Sequence, residues 1–348
     1  MDTRSMYMDE LKEWVKENNY PAFRASQIFQ WLHKKYVSSV EEMTNIPKNI
    51  REKIKDTGLI SIEEETRQVS SKDGTIKFLY RLNDGQMIES VFMRYSYGNS
   101  ICISSQAGCR MGCRFCASTI GGLVRNLTPS EMLEQVYATM RATGERISNI
   151  VVMGTGEPLD NYENLLRFIR LISCEDGYNI SQRNITVSSC GIVPMIYRLA
   201  DEKLSITFAL SLHAPTDSER QRLMPVAYKY TLEETLEACR YYFKKTGRRV
   251  TFEYSLVSGE NDKEEQAVKL AGLLKGMNCH VNLIPVNPIS EREYRRSDGN
   301  SIEKFKLLLE KYSINGTIRR SVGSDIDAAC GQLRRKYAIN SQEDTNEV

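Results

Sequence analysis

From residue 100 onward the chain repeats one pattern, a short apolar run rich in β-branched residues followed by a stretch of helical period. The runs predict strands at Ser100–Ser104, Asn149–Met153, Asn184–Ser188, Ile206–Ser211, Val250–Leu256 and Val281–Ile284. Helical spacing of apolar residues predicts helices at Ser130–Arg141, Tyr162–Ile172, Leu232–Lys244, Glu264–Lys275 and Ile302–Lys311. Strands separated by helices form parallel βαβ units, because a parallel neighbour needs a long crossover. Six such units predict an α/β fold that closes into a full or partial TIM-like barrel. Its functional side chains should then sit at the C-terminal ends of the strands.

Residues 1–65 read differently. Met8, Leu11, Trp14 and Val15 share a helical face, as do Ile28, Phe29, Trp31 and Leu32, and Ile46-Pro47 opens a third short segment. A small helical accessory module is predicted there. In residues 66–94, alternating runs on either side of Asn83-Asp84-Gly85 predict a β-hairpin linking the module to a core at 95–335. Residues 336–348 form a polar tail. No apolar run is long enough to span a bilayer and the N-terminus carries no apolar leader, so a cytoplasmic protein is expected. The net charge of +2 neither demands nor excludes nucleic acid. Basic residues do cluster, at Arg292, Arg295 and Arg296, at Arg319 and Arg320, and at Arg334, Arg335 and Lys336; solvated surface accounts equally well for them.

Nine cysteines in a chain without a secretion signal point to metal or redox chemistry rather than a disulfide framework. Cys109, Cys113 and Cys116 follow the first core strand at spacings of four and three on a glycine-containing loop. Three thiolates so placed can converge on one centre. Zinc ordinarily takes a fourth protein ligand, and no Cys or His lies within the ten residues downstream. Three ligands on a four-iron cluster would leave one iron open. A purely structural metal site remains the competing reading. Gly156-Glu157, Ser188, Ser211-Leu212-His213 and Asn287 fall at the tips of later strands, where a barrel gathers its polar groups.

The triplet in this setting resembles the radical S-adenosylmethionine superfamily. The resemblance narrows with Cys102-Ile-Ser-Ser-Gln-Ala-Gly-Cys109, Met153-Gly-Thr-Gly-Glu-Pro-Leu159, Asn184-Ile-Thr-Val-Ser-Ser, Ser211-Leu-His-Ala-Pro215, Val281-Asn-Leu-Ile-Pro-Val-Asn-Pro288 and the stretch Thr317 to Leu333. In that order these blocks are similar to the RlmN-type RNA methyltransferases. The resemblance implies a partial (β/α)6 radical S-adenosylmethionine barrel with a 4Fe-4S cluster on Cys109, Cys113 and Cys116. It also implies S-adenosylmethionine, two per turnover, bound by Gly156, Glu157, Ser188, Ser211, Leu212, His213 and Asn287. The implied reaction methylates carbon 2 of adenosine 2503 in 23S rRNA and of adenosine 37 in tRNAs.

By the same resemblance Cys330 carries the methyl group as S-methylcysteine, Cys102 resolves the protein–RNA crosslink through a transient disulfide with Cys330, and Glu89 is the proton acceptor. Carbon 2 of adenine is electron-poor, which is why a polar transfer from a sulfonium does not serve. Without the resemblance Cys330 reads as a small buried residue and Glu89 as the polar side of a strand. Cys174, Cys190, Cys239 and Cys279 are assigned no role. The expected partners are 23S rRNA, tRNA and an electron donor such as flavodoxin or ferredoxin, with no membrane and no stable protein partner. The module residues Arg24, Lys34, Lys35, Lys48, Arg51 and Lys53 are expected to meet RNA phosphates. Two alternatives stay open: a carbon-8 methylating relative that confers ribosomal antibiotic resistance, and a non-catalytic iron–sulfur or zinc RNA-binding protein.

Overall fold

Three helices, α1 (Met8–Glu17), α2 (Arg24–His33) and α3 (Lys48–Thr57), open the computed structural model, which describes residues 1–289, 292–319, 322–323, 325–326, 331–334 and 337. Leu11, Trp14 and Val15 of α1 and Ile28, Phe29 and Leu32 of α2 are buried. Those residues run into the same apolar core as the rest of the chain. Buried charge fixes the seam. Arg4, wholly buried, donates to the carbonyls of Val37 and Ile60 and pairs with Glu134, which also pairs with Arg141 at 2.7 Å.

An antiparallel meander follows, made of β1 (Glu63–Val69), β2 (Ile76–Arg81) and β3 (Met87–Tyr95). The predicted hairpin is therefore two of three strands, and β3 continues antiparallel into β4 (Gly98–Cys102), the first core strand. Sequence reading missed β1 because Glu-Glu-Glu-Thr-Arg-Gln-Val shows no apolar alternation. It is an edge strand, and charge on an edge discourages pairing with another chain. In the β2–β3 register Leu79 faces Glu89 and Lys77 faces Val91, while Val91 faces Cys102 across β3–β4. Lys77, Glu89, Val91 and Cys102 thus share one face of the sheet.

Beyond β4 come a short ladder, β5 (Gln106–Gly108) with β6 (Leu123–Asn126), and then α4 (Pro129–Thr143), β7 (Asn149–Val152), α5 (Tyr162–Ile172), β8 (Ile185–Ser189), α6 (Val193–Asp201) and β9 (Thr207–Ser211). The core continues with α7 (Asp217–Leu223), α8 (Leu232–Thr246), β10 (Val250–Leu256), α9 (Glu264–Leu274), β11 (Cys279–Pro285), α10 (Gly299–Lys311) and β12 (Gly316–Ile318). Strands β4, β7, β8, β9, β10, β11 and β12 are parallel neighbours in that order, with β1 and β12 at the two edges of a ten-stranded sheet. This is the expected partial barrel, with β12 as an added edge strand. Helix ends follow from local chemistry. Thr128 and Glu131 form a capping box on α4, Pro129 occupies its first turn, and Gly144 ends it in a left-handed conformation. Among the described residues no helix is long and apolar enough to cross a membrane.

The barrel interior carries polar side chains among apolar ones. Every residue of β10 is buried. Val250, Phe252, Tyr254 and Leu256 enter the apolar core, whereas Glu253 and Ser255, from the other parity, line a cavity.

Candidate active site

That cavity, of about 250 Å³, opens among the C-terminal tips of the parallel strands. Cys109, Cys113 and Cys116 line one side, Gly156-Glu157 and Ser188 another, and Ser211, His213, Glu253 and Arg319 the rest. Local hydrogen bonds build the cysteine loop. The Cys109 amide donates to the Gly122 carbonyl at 2.9 Å, and the Thr119 hydroxyl donates to the carbonyls of Cys113 (3.2 Å) and Cys116 (2.9 Å). Gln106 then ties this loop to the next. Its side chain accepts the Glu157 amide at 2.8 Å and donates to Asn126 and Asp160.

Burial pushes the Cys109 thiol up to about 12 and holds the Cys113 thiol well above its usual range, with the neighbouring cysteines adding to the effect. The three thiols therefore lie near enough to influence one another. Among the described residues, however, no three Cys, His, Asp or Glu side chains converge on a single-ion site. Three thiols from one loop lining one cavity are the donor set of an iron–sulfur cluster with one iron left open.

Gly156 has φ +112°, and a Cβ there would meet Gln106 and Ser105 at 2.6–2.7 Å, so only glycine fits. Glu157 beside it is buried. Its Oε2 accepts the Cys190 amide at 2.8 Å and its Oε1 the Leu159 amide at 2.9 Å. Burial raises its affinity for a proton, and those amides work against the rise. The side chains of Cys190 and Ser189 donate to this carboxylate as well. Cys190 also lines the cavity, and burial beside Glu157 holds its thiol well above the usual range.

Ser188 and Ser211 face each other with their hydroxyls 3.4 Å apart. His213 is buried, and its Nδ1 accepts the Ser255 amide at 2.9 Å, so the neutral ring carries its proton on Nε2. Burial, with the nearby Arg220 cation, lowers its pKa to about 3. Leu212 is different. Its side chain is buried in the core, and its backbone links Glu253 to Arg220. Asn287 is exposed on the loop after β11 and is not among the residues lining the cavity.

Two residues escaped sequence reading, one lining the cavity and one buried behind its wall. Glu253 is buried, accepts Asn282 Nδ2 at 2.9 Å, and is pushed up by burial against the pull of that bond and of Arg319. The alternation Thr251, Glu253, Ser255 along an otherwise apolar strand was its signal. Arg220 is wholly buried and donates to the Cys190 carbonyl at 2.7 Å. Nothing in the short α7 marked it.

A second assembly lies on the sheet face that carries Cys102 and Glu89. Both are buried, and Lys77, 0% exposed, sits 2.9 Å from Glu89 Oε2. Glu89 Oε2 accepts the Gly331 amide at 2.5 Å and Oε1 accepts the Arg334 amide at 2.7 Å. Gly331, at φ +80°, also rests on the cysteine loop, since a Cβ there would come within 3.0–3.1 Å of Ala117 and Ser118. Val322 packs against Val91, Met93 and Cys102. Asp73 accepts the Gly323 amide at 2.8 Å, and Asp325 accepts the hydroxyls of Ser70 and Ser71. The segment after β12 thus reaches the meander at several points. Cys330, Arg320, Arg335, Lys336 and the tail from 338 lie outside the described residues.

Of the module cations proposed to meet RNA, Lys34, Lys35, Lys48 and Lys53 are exposed. Arg24 and Arg51 are half-buried and donate to the carbonyls of Asn45 and Glu41, and Lys35 lies over the Trp31 ring.

Residues 103–271 match the family model described as the radical SAM superfamily, and residues 2–60 match that of the ribosomal RNA large subunit methyltransferase N-terminal domain. The chain is 60% identical over 338 residues to a protein of Lachnoclostridium phytofermentans named "Probable dual-specificity RNA methyltransferase RlmN", covering 97% of this chain and 95% of that one. A Lachnospira eligens protein of the same name is 56% identical over 343 residues, with 98% of each chain covered. Among solved structures, a radical SAM methyltransferase from Sphaerobacter thermophilus superposes with a TM-score of 0.91 at 43% identity, covering 95% of this chain and 98% of that one.

Proposed function

Because the chain belongs to the RlmN family of radical S-adenosylmethionine RNA methyltransferases, we propose that it methylates carbon 2 of adenosine 2503 in 23S rRNA and of adenosine 37 in tRNAs, through a methyl group carried on Cys330. The observation that carries this reading is the seat of Gly331. The residue that follows Cys330 is held between Glu89 and the backbone that follows Cys116.

In this reading Cys109, Cys113 and Cys116 hold the cluster. Glu157, Ser188, Ser211 and His213 hold S-adenosylmethionine, Glu157 accepting the methionine ammonium and His213 Nε2–H donating into the cavity. Asn287 joins them only if its loop turns inward. When bound, cluster and cofactor supply the one-electron chemistry that activates the S-methyl group. The remaining work falls to the chain's own side chains. The Cys330 thiolate first takes a methyl group from one S-adenosylmethionine by displacement. Once the methylene has joined carbon 2, Glu89 removes the proton from that carbon, and the one unpaired electron of the adduct would be given up to the cluster held by Cys109, Cys113 and Cys116, which restores the aromatic ring. The Cys102 thiolate then attacks the Cys330 sulfur. The S–CH₂ bond breaks, its electron pair passes to the methylene carbon, and that carbon takes up a proton to become the methyl group. A Cys102–Cys330 disulfide is left for reduction. The adenine must leave its stack to reach this pocket. Ribosomal and transfer RNA as substrates place the enzyme in the cytoplasm, with a low-potential flavodoxin or ferredoxin as electron donor.

Anaerobic reconstitution with each RNA, followed by identification of the product nucleoside, tests the reading. 2-Methyladenosine from both RNAs is expected. 8-Methyladenosine would move the chain to the carbon-8 branch, and product formation by Cys330→Ala would end the covalent reading.

A further inference from the structure

Lys77 stands in the middle of the apolar run Ile76-Lys77-Phe78-Leu79-Tyr80, with no part of it exposed. A buried ammonium is costly. A buried ion pair gives a fold little that well-packed apolar residues would not, so its presence calls for another reason. The register supplies the partner. Leu79 opposes Glu89 and Lys77 opposes Val91, which makes Lys77 and Glu89 diagonal neighbours on one face, with Nζ 2.9 Å from Oε2.

The two carboxylate oxygens are not equivalent. Oε2 takes both the Lys77 ammonium and the Gly331 amide, which matches its two lone pairs. Among the described residues Oε1 takes the Arg334 amide alone. We propose that Lys77 is a positioning residue for the methyl transfer: it pairs with the buried Glu89 carboxylate, immobilises Oε2, and leaves Oε1 as the oxygen that accepts the proton from the substrate carbon. The ammonium and the Gly331 amide also fix the same oxygen, so the base and the chain beside Cys330 are held in one register. This rests on the reading of Glu89 as the proton acceptor.

The step affected is specific. Loading a methyl group on Cys330 and forming the protein–RNA adduct need no base at carbon 2, whereas release of the product does. The test uses anaerobic, cluster-loaded, full-length protein with a tRNA transcript bearing the target adenosine. Three quantities are read: the methyl-sized mass on Cys330, the covalent adduct on a denaturing gel, and the released methyladenosine. Lys77→Met is expected to load the methyl as the parent does, to accumulate adduct, and to release product about 10²-fold more slowly, the low end of what a positioned base contributes. Lys77→Arg restores the charge and is expected to restore most of the release. Should Lys77→Met fail to load the methyl, Lys77→Gln, which keeps a donor and removes only the charge, carries the test with the same stalled adduct expected. Release at the parental rate by the loaded variant overturns the proposal, as does a parallel fall in loading, adduct and release in both uncharged variants. Glu89→Gln separates the two claims. If it releases product normally, the reading of Glu89 itself falls. If it stalls while Lys77→Met does not, only the role of Lys77 falls.

Discussion

The amide of Gly331 donates to Oε2 of Glu89 at 2.5 Å, which joins the chain beside Cys330 to a strand 242 residues earlier. Lys77 completes that junction from below and the Ala117 backbone bounds it from the side.

Removing one member of the buried pair should cost more than removing both. Glu89→Ala removes the carboxylate beside the buried Lys77 ammonium and should lower stability by about 3–5 kcal/mol. Lys77→Met combined with Glu89→Leu should recover most of that loss in urea unfolding. A double variant no more stable than Glu89→Ala would show that the pair is not energetically coupled.

Gly331→Ala should undock the terminal segment. The residue has φ +80°, which costs an alanine about 1–2 kcal/mol, and the new Cβ meets the Ala117–Ser118 backbone at 3.0–3.1 Å. Hydrogen exchange at the Gly331-to-Arg334 segment should quicken at least about tenfold, since about 1.4 kcal/mol is a factor of ten. Iron content should stay at the parental level. Unchanged exchange would contradict the seat described for Gly331.

Cys190 lines the cavity with the triplet but should not ligate iron. Cys109→Ala, Cys113→Ala and Cys116→Ala should each lose bound iron after anaerobic reconstitution, while Cys190→Ser keeps it. Loss of iron in Cys190→Ser would add a fourth ligand and undo the open position on which the account depends.

His33 is wholly buried, and burial, with Arg4 nearby, lowers its pKa to about 3. The unfolded chain therefore binds this proton first as pH falls below about 6.5. The neutral ring's contribution to stability is full above that value and shrinks by about 1.4 kcal/mol per pH unit below it, until the folded value near 3 is reached. His33→Gln, which cannot titrate, should show a pH dependence shallower by about that slope between pH 6 and 5 (roughly 1.4 kcal/mol over the unit). Parallel stability curves for the two proteins would show that His33 is not neutral in the fold.

How much of this was legible in the sequence depended on whether a residue announced itself in its own neighbourhood. The parallel strands were readable because both faces are covered and their runs are apolar, and the cysteine loop because its spacing is local. Two helices were missed. Asp217–Leu223 is seven residues long, and Val193–Asp201 begins with a Val-Pro pair that reads as a turn. Strand Gly316–Ile318 is too short to alternate. Lys77 was hidden for another reason. Its meaning lies in a diagonal across a turn and in a segment that returns from the far end of the chain, and neither is a property of residues 75 to 82. Glu89 was named by resemblance alone, because its bonds to Gly331 and Arg334 are tertiary, and Cys330, also named by resemblance, lies outside the described residues.

The central claim is that the methyl group reaches adenine by way of the Cys330 sulfur, losing one hydrogen as it goes. S-adenosylmethionine carrying a trideuterated methyl group tests it most directly, with mass spectrometry of the released nucleoside after a fresh, unmethylated enzyme has turned over. The account predicts 2-methyladenosine bearing two deuterium atoms, and a Cys330→Ala enzyme that makes none. A product bearing all three would mean direct transfer from the sulfonium and would contradict it.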